Sequence, residues 1–550
     1  MKKSPFIFLL MITVLFSACT TTEKKTEPTK APFVWEGANL YFLLTDRFNN
    51  GTTDNDVNFD RTKTTGKLRG FEGGDIKGIT QKIKEGYFTK LGINAIWMTP
   101  ITEQIHGSVD EGTGNTYGFH GYWAKDWTAL DPNFGTKEDL AELVEVAHAN
   151  GIRIVLDGVI NHTGPATETD PAWEKEWVRE EPTCTYKSYK STIECTLTEN
   201  LPDIKTESTQ EVDIPKALAE KWKNEGRYEQ EVKELNEFFA RTGYPRTPKY
   251  YMIKWLTDYI VEFGIDGYRG DTVKHTEESV WKDFRKECEY AFQLWKKNNP
   301  EKVLDDNEFY TVGEIYGYGI SNTFAYDFGD KKVNYFANGF TSMINFEFKY
   351  NAQGNYEEIF SKYYDLLNND LKGYGVLNYL SSHDDGTPFD PTRVKNIEAA
   401  NKLLLCPGTS QVYYGDESAR SLVIEGTVGD ATLRSKMNWE QIQSDENTQN
   451  ILAHYQKLGV FRANHPAVGA GVHKMISEKP YVFTRSFAKG EYKDNVVVGL
   501  DLAKGNKELT VVGFVEGTKL RDAYSGKEAI VKDGKVSLDT EFDIVLLEKK

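Results

Sequence analysis

Short apolar runs alternate with longer amphipathic stretches along most of this chain. The runs are Leu40–Leu44, Ala95–Met98, Ile152–Leu156, Ile265–Tyr268, Phe309–Val312, Met343–Phe346, Val376–Leu380 and Gln411–Tyr414. Between them apolar positions recur at helical spacing over 77–90, 137–149, 249–263, 278–297, 355–368, 393–405 and 449–463. A short apolar run bounded by turn formers reads as a buried strand, and spacings of three and four as a helix with one packed face. Eight such strand-then-helix units predict an α/β protein built on a (β/α)₈ TIM barrel. The stretch 160–248 lies between the third strand and its return helix and is far longer than an ordinary βα loop, so it predicts an inserted domain. From about 467 the period changes to two, over 481–487, 495–501, 508–513 and 542–547, with Gly and Lys turns between. That pattern predicts a small antiparallel β-sandwich over 467–550 and leaves 34–159 and 249–466 to the barrel.

The N-terminus follows a different logic. Lys2 and Lys3 precede an apolar run from Phe6 to Phe16, and small residues Ser17 and Ala18 follow. This is the layout of an export signal, and the run falls short of the ~20 apolar residues that span a bilayer. Leu15-Phe16-Ser17-Ala18-Cys19 resembles a bacterial lipobox, whose Cys becomes the lipidated first residue of the mature chain; a plain cleaved signal is the alternative. Residues 1–19 thus read as a lipoprotein-type signal peptide and 20–33 as a flexible linker. The expectation is an exported protein anchored to a membrane through Cys19, periplasmic or at the outer membrane. Of the other cysteines, Cys184 and Cys195 lie in a polar, turn-rich stretch where export permits pairing, while Cys288 and Cys406 sit in apolar helical contexts as buried thiols. No cysteine–histidine spacing resembles a zinc site.

Charge then narrows the chemistry. With 66 basic and 83 acidic side chains the net charge is −17, which repels phosphate and argues against a nucleic-acid partner. Thirty Tyr, 30 Phe and 11 Trp suit the faces of sugar rings, although most aromatic residues serve the core. The polar residues that matter fall just past the strands, where a barrel of this kind builds its active site. After the third run comes Asp157-Gly-Val-Ile-Asn161-His162; the fourth leads into Arg269-Gly-Asp271-Thr-Val-Lys274-His275; the fifth ends at Gly313-Glu314; after the seventh stands His383-Asp384-Asp385. One Asp at a strand end is commonly a helix cap, but four segments delivering carboxylates beside His and Arg are poorly explained by capping. Carboxylates from three strands suit glycoside hydrolysis, which needs a nucleophile or base, a protonated acid and stabilisation of an oxocarbenium-like transition state.

Together with Gly92-Ile-Asn-Ala-Ile-Trp-Met-Thr-Pro100 and Gly408–Glu417, these segments resemble the α-amylase family of retaining glycoside hydrolases over residues 39 to about 465. Leu201–Ser208, Tyr379–Asp384 and Tyr414–Ser418 look most like the periplasmic α-amylases of Gram-negative bacteria, which cleave maltodextrins and starch fragments. The resemblance implies an α-glucan substrate, Asp271 as nucleophile, Glu314 as acid and base, and Asp384 as the third carboxylate. It also implies substrate-binding roles for His120, Tyr122, His162, Arg269, Lys274 and His383; core packing is the alternative for Tyr122. Arg269, two residues before Asp271 on an extended strand end, would keep that nucleophile charged. Ser382 departs from the Asn usual in the family, and Asp385 adds a carboxylate that nothing in the pattern requires.

The resemblance further implies Ca²⁺, as one or two structural ions. Asn50, Asn55, Asp56, the Gly73 carbonyl and Asp75 match one family calcium loop, with Thr52 where an acid or amide is usual; a plain Asx-rich turn uses the same residues. Asn161, Asp203 and His275 match a second site joining the insert to the barrel, with Lys205 nearby as an alternative source of charge. An endo-acting α-1,4-glucan hydrolase is the leading expectation. The alternatives are an α-glucosidase, cyclomaltodextrinase or transglycosidase on the same fold, and a non-catalytic glycan-binding lipoprotein. Nothing in the chain points to a protein partner.

Overall fold

A computed structural model describes residues 31–550 apart from residue 111. The signal and most of the linker, including Cys19, lie outside the described residues. Eight parallel strands close into a barrel: β1 Asn39–Leu43, β2 Ala95–Met98, β3 Arg153–Gly158, β4 Gly267–Gly270, β5 Tyr310–Gly313, β6 Ser342–Asn345, β7 Gly375–Tyr379 and β8 Thr409–Tyr413. Each pairs with its neighbours in sequence, and β1 closes on β8 through Asn39 opposite Ser410 and Tyr41 opposite Val412. Every residue of these strands is buried, because side chains point alternately into the barrel and onto the helices outside. This is why the strands read as continuous apolar runs rather than as alternating ones.

Seven of the eight strands end one or two residues away from the end of the apolar run. β3, β4 and β5 continue past it, through Asp157-Gly158, Arg269-Gly270 and Gly313. Glycine is what permits this. A Cβ on Gly270 would stand 3.0 Å from Trp281 and 3.1 Å from Phe340, and one on Gly313 would meet Met343 and Phe340 equally closely. The ladder thus carries the charged residues next to these glycines to the rim with fixed spacing. The helical stretch expected over 77–90 is split into Ile76–Lys84 and Tyr87–Lys90 by Gly86, whose φ of +74° breaks the helix. The 393–405 stretch becomes helical only at Asn396.

The outer helices start and stop on ordinary capping chemistry. Thr136 forms a capping box with Asp139 ahead of Lys137–Ala149, and Asn355 does so with Glu358 ahead of Tyr356–Asn368. Pro248–Phe263 ends at Gly264, with φ +73° and the Trp295 ring 2.0 Å from where a Cβ would be, so only glycine fits.

Between β3 and the helix Pro248–Phe263 the chain makes its long excursion, with a two-stranded ladder of Val178–Arg179 and Asp203–Ile204 and the helices Lys216–Asn224 and Tyr228–Thr242. Cys184 and Cys195 form a disulfide, while Cys288 and Cys406 are buried and free. Tryptophans fasten the excursion to the barrel: Trp177 stacks on Trp255 with centroids 6.0 Å apart and Trp222 meets the same ring edge-on at 6.3 Å. Asp126 of the barrel, fully buried, takes both Lys221 and Arg227 of the insert.

The last 80 or so residues form a six-stranded antiparallel sheet and a two-stranded one. In the larger sheet Phe483, Val496, Val498 and Leu546 belong to the barrel's core, and Val482, Val497, Val545 and Leu547 to a separate core with Leu509, Val536 and Leu538 of the smaller sheet. Period-two alternation therefore serves two interfaces at once. No helix among the described residues is long and apolar enough to cross a membrane. Phe483, fully buried with its ring 5.5 Å from that of Phe360 on the barrel, is the test of this docking. Phe483→Ala is expected to cost about 3–5 kcal/mol and lower the calorimetric Tm; Val515→Ala, at a position 77% exposed, is expected to leave it unchanged.

Candidate active site

Parallel register places the charged residues side by side. Arg269 of β4 lies opposite Asp157 of β3, and the backbone continues the ladder one step further, Asp271 N donating to the Gly158 carbonyl at 3.1 Å and Glu314 N to Gly270 at 2.9 Å. The Arg269 guanidinium thereby reaches three carboxylates. Its Nη1 lies 2.9 Å from Asp157 Oδ1 and 2.5 Å from Asp271 Oδ1, and its Nη2 is 3.0 Å from Glu314 Oε1. All four side chains are buried, so these pairs are little screened by water.

The carboxylates differ in their remaining contacts. Asp157 Oδ2 accepts from Trp97 Nε1 at 3.1 Å and from the Tyr122 hydroxyl at 2.9 Å. Glu314 Oε2 accepts from the Thr272 backbone N–H at 2.9 Å. Thr272 holds that amide in place from a left-handed conformation, φ +46°, which is strained for a β-branched residue. Asp271 Oδ2 is buried and, among the described residues, has no hydrogen-bond partner. Burial pushes Glu314 up to about 8 against the pull of Arg269, with Asp271 and Asp384 opposing its ionisation further. Burial likewise raises Asp157 to about 7, again against Arg269. In this pocket Glu314 is an acid that keeps its proton near neutrality, while Asp271 has one oxygen engaged by Arg269 and one without a partner among the described residues.

The three histidines gather on one side. His383 and His120 both stack on Tyr122, with centroids 5.4 and 5.8 Å from that ring. His162 Nε2 meets the Tyr122 carbonyl at 3.1 Å. Burial holds His162 below the usual range and His120 and His383 well below it, helped for the last two by Arg434. Neutral imidazoles can both donate to and accept from hydroxyls. Tyr122 is half-buried, with its hydroxyl fixed on Asp157, rather than lost in the core. Asp384 is one-third exposed, its closest polar neighbours being Ser382 Oγ at 3.5 Å and His383 Nδ1 at 3.7 Å.

Lys274 stands among tyrosines instead. Its Nζ donates to the Tyr316 carbonyl and the Tyr326 hydroxyl, both at 3.2 Å, and lies within 5.7 Å of the rings of Tyr186, Tyr316 and Tyr326. Sequence reading did not single out these tyrosines, nor Arg434, whose Nε donates to the His383 carbonyl at 2.9 Å. Tyr316, two residues past Glu314, was open to notice; Arg434 was not, being 51 residues from its partner.

The two oxygen-rich regions differ. Around Asn161, the side-chain oxygen lies 2.8 Å from the His275 carbonyl and 3.2 Å from Asp203 Oδ1, so three oxygens converge with no proton between them. A turned amide satisfies this arrangement, and so does a hard cation. The site also has a positive neighbour: Arg179 Nε lies 2.9 Å from Asp203 Oδ2, poorly aligned as a hydrogen bond. Lys205, expected as the alternative charge, instead gives its Nζ to the Lys175 carbonyl, so the cation beside Asp203 is Arg179. In the other region Asp75 caps the helix Ile76–Lys84: its oxygens accept from Gly51, Thr52 and Gly78 N–H groups. Asn50 Nδ2 donates to Asp56 at 2.9 Å, Gly73 packs against both with φ +90°, and Asn55 keeps a buried Oδ1 without a partner among the described residues. That loop closes largely on itself, as an Asx-rich turn does. Among the described residues no three His, Cys, Asp or Glu side chains are gathered to hold a metal.

Comparison with known proteins agrees with this geometry. Residues 42–462 match the model of the alpha amylase catalytic domain. The chain is 35% identical over 524 residues to the periplasmic alpha-amylase of Escherichia coli K12, covering 84% of this chain and 72% of that protein. It is 25% identical to a cyclomaltodextrin glucanotransferase of Thermoanaerobacterium thermosulfurigenes, of which it spans 62%. An Anoxybacillus alpha-amylase structure superposes with a TM-score of 0.65 at 25% identity, covering 94% of this chain and 99% of that one. The chain is a glycoside hydrolase of the α-amylase family.

Proposed function

We propose that the protein is an α-amylase that cuts internal α-1,4-glucosidic bonds of starch and maltodextrins, with retention at the anomeric carbon. The observation that carries this reading is the division of labour around Arg269, a bare Asp271 oxygen beside a Glu314 that holds its proton. Asp271 Oδ2 attacks the anomeric carbon while Glu314 protonates the departing glycosidic oxygen, which leaves a covalent glycosyl-enzyme. Glu314, now ionised, takes a proton from water; the resulting oxygen attacks the same carbon, and Asp271 departs. Asp384 stabilises the oxocarbenium character of both transition states and binds ring hydroxyls. Tyr122 offers a stacking face, and His120, His162 and His383 exchange hydrogen bonds with sugar hydroxyls.

Transfer to a sugar acceptor is the second reading, favoured by the glucanotransferase relatives and by the tyrosines around Lys274. The export signal and Cys19, with the periplasmic relative, support a lipid-anchored protein in the periplasm or at the outer membrane. The converging oxygens of Asn161, Asp203 and His275 would hold Ca²⁺, which would supply a structural tie between insert and barrel.

Product analysis on amylose separates hydrolysis from transfer. Early internal cuts with a steep fall in viscosity and linear products are expected; cyclic products, or glucose alone, defeat this reading. Asp271→Asn is expected to lower kcat by at least about 10³-fold in the same assay.

The pH dependence carries a sign. Because Glu314 is raised in the folded state, that state binds more protons than the unfolded one between the ordinary glutamate range and about pH 8. Its contribution to stability is full at low pH and is lost as pH rises through that window. Glu314→Gln cannot ionise, so its Tm relative to the parent is expected to climb from pH 5 to pH 8. The alkaline limb of kcat/KM in the parent is expected well above the ordinary carboxylate range.

For calcium, adding EDTA is expected to lower the Tm of the parent, and Asn161→Ala is expected to abolish the recovery on adding Ca²⁺. A Tm indifferent to EDTA and Ca²⁺ would assign Asn161 the turned amide instead.

A further inference from the structure

Asp384 must present its carboxylate to the sugar at a fixed angle, yet its own contacts are weak. Among the described residues its single hydrogen bond is a 3.5 Å one from Ser382, which stands where the family usually has Asn. The orientation therefore depends on the backbone on either side. On the N-terminal side the His383 carbonyl is pinned by Arg434 Nε at 2.9 Å. On the C-terminal side stands Asp385, the carboxylate that the sequence pattern did not require.

Asp385 is buried in a cluster drawn from three elements. Its Oδ2 pairs with Lys349 Nζ, from the segment following β6, and accepts from the Tyr379 hydroxyl, at the end of β7. Its Oδ1 accepts the Thr387 N–H at 3.1 Å and the Thr387 hydroxyl at 3.0 Å. Lys349 Nζ also reaches Thr387 Oγ1 at 2.6 Å, and the Tyr350 hydroxyl lies 3.2 Å from the same atom. Both charged side chains are nearly inaccessible, Lys349 at 4% and Asp385 at 5%. A buried ion pair repays its desolvation poorly as a source of stability, and its best-attested use is to fix one geometry among several. Here the geometry it fixes is that of residue 385, covalently next to Asp384.

We propose that the Lys349–Asp385 pair is a positioning device that aims Asp384 at the sugar in the transition state. It rests on the hydrolytic reading of the site. The pair touches no substrate; it acts by tying the loop 383–387, which follows β7, to the segment that follows β6. Loosening it costs transition-state stabilisation while leaving ground-state binding nearly intact, because His120, His162 and Tyr122 are held by other elements and the His383 carbonyl stays pinned by Arg434.

The test uses Asp385→Asn, Lys349→Met and Lys349→Arg in the full protein, assayed on a maltooligosaccharide well below each variant's Tm. The first two are expected to lose about 10- to 100-fold in kcat, with KM and maltotriose Kd within about twofold of the parent. Acarbose, bound in a solved relative, is expected to weaken in step with kcat/KM. Lys349→Arg is expected to recover most of the loss. A purely structural pair would lower Tm and leave kcat of the folded enzyme within twofold, and that result overturns the proposal. Should Lys349→Met not fold, Tyr379→Phe and Thr387→Val carry the test, each removing one hydroxyl from Asp385 with an expected threefold loss of kcat; unchanged kcat in both overturns it equally. A parent without activity on any α-glucan would refute the hydrolytic reading instead.

Discussion

One buried guanidinium sets the terms for the rest of this structure. Arg269 holds Asp157, Asp271 and Glu314 within 3.0 Å, three potential negative charges against one positive charge in a site shielded from water. Desolvating so many like charges is too costly for all of them to ionise together, so the proton is shared unequally. Asp157 has two further donors, from Trp97 and Tyr122, that help its charged form. Asp271 takes the closest contact to Arg269. Glu314 has one backbone amide and two carboxylate neighbours, and it keeps the proton. Glu314 serves as the acid because of its burial and the carboxylates that face it, not because of the identity of its side chain.

That arrangement requires atoms from separate strands to meet within a few tenths of an ångström, which the parallel ladder supplies. Arg269 lies opposite Asp157 by register, and glycines at 158, 270 and 313 let the strands run on to the rim beneath packed aromatic rings. The same glycines explain why the apolar runs misplace the strand ends. The apolar run ends where the chemistry begins, but burial and hydrogen bonding do not.

The fold was legible because a barrel strand is buried on both faces and leaves an unbroken apolar run, and the rim carboxylates were legible because they interrupt such runs at the right end. Long-range pairs were not. Lys349 and Asp385 are 36 residues apart and Arg434 and His383 are 51 apart; no local pattern marks either, since the partners meet only after the barrel closes. Aromatic abundance serves mainly the core, as composition led one to expect. Phe42, Trp97, Trp255 and Trp281 are buried, so most of the apparent sugar-binding capacity is core, and the exposed faces that flank the site, Tyr186 and Tyr316, are indistinguishable from them in sequence.

The inserted segment bears directly on the nucleophile. His275, four residues beyond Asp271, meets the Thr192 carbonyl through Nδ1 at 2.9 Å. Thr206 Oγ1 donates to Glu277 at 2.8 Å, and Tyr189 bonds Glu278. Three successive contacts thus bind residues 275–278 to the insert, and Cys184–Cys195 closes the loop that supplies Thr192 and Tyr189. The strained turn at Thr272 lies between these contacts and Asp271, so its left-handed conformation is braced by the ladder on one side and by the insert on the other. A strained residue persists only where its surroundings over-determine it. On this account the insert does more than wall the cleft: without it the amide that Thr272 offers to Glu314 would relax, and the acid would lose the hydrogen bond that aims it.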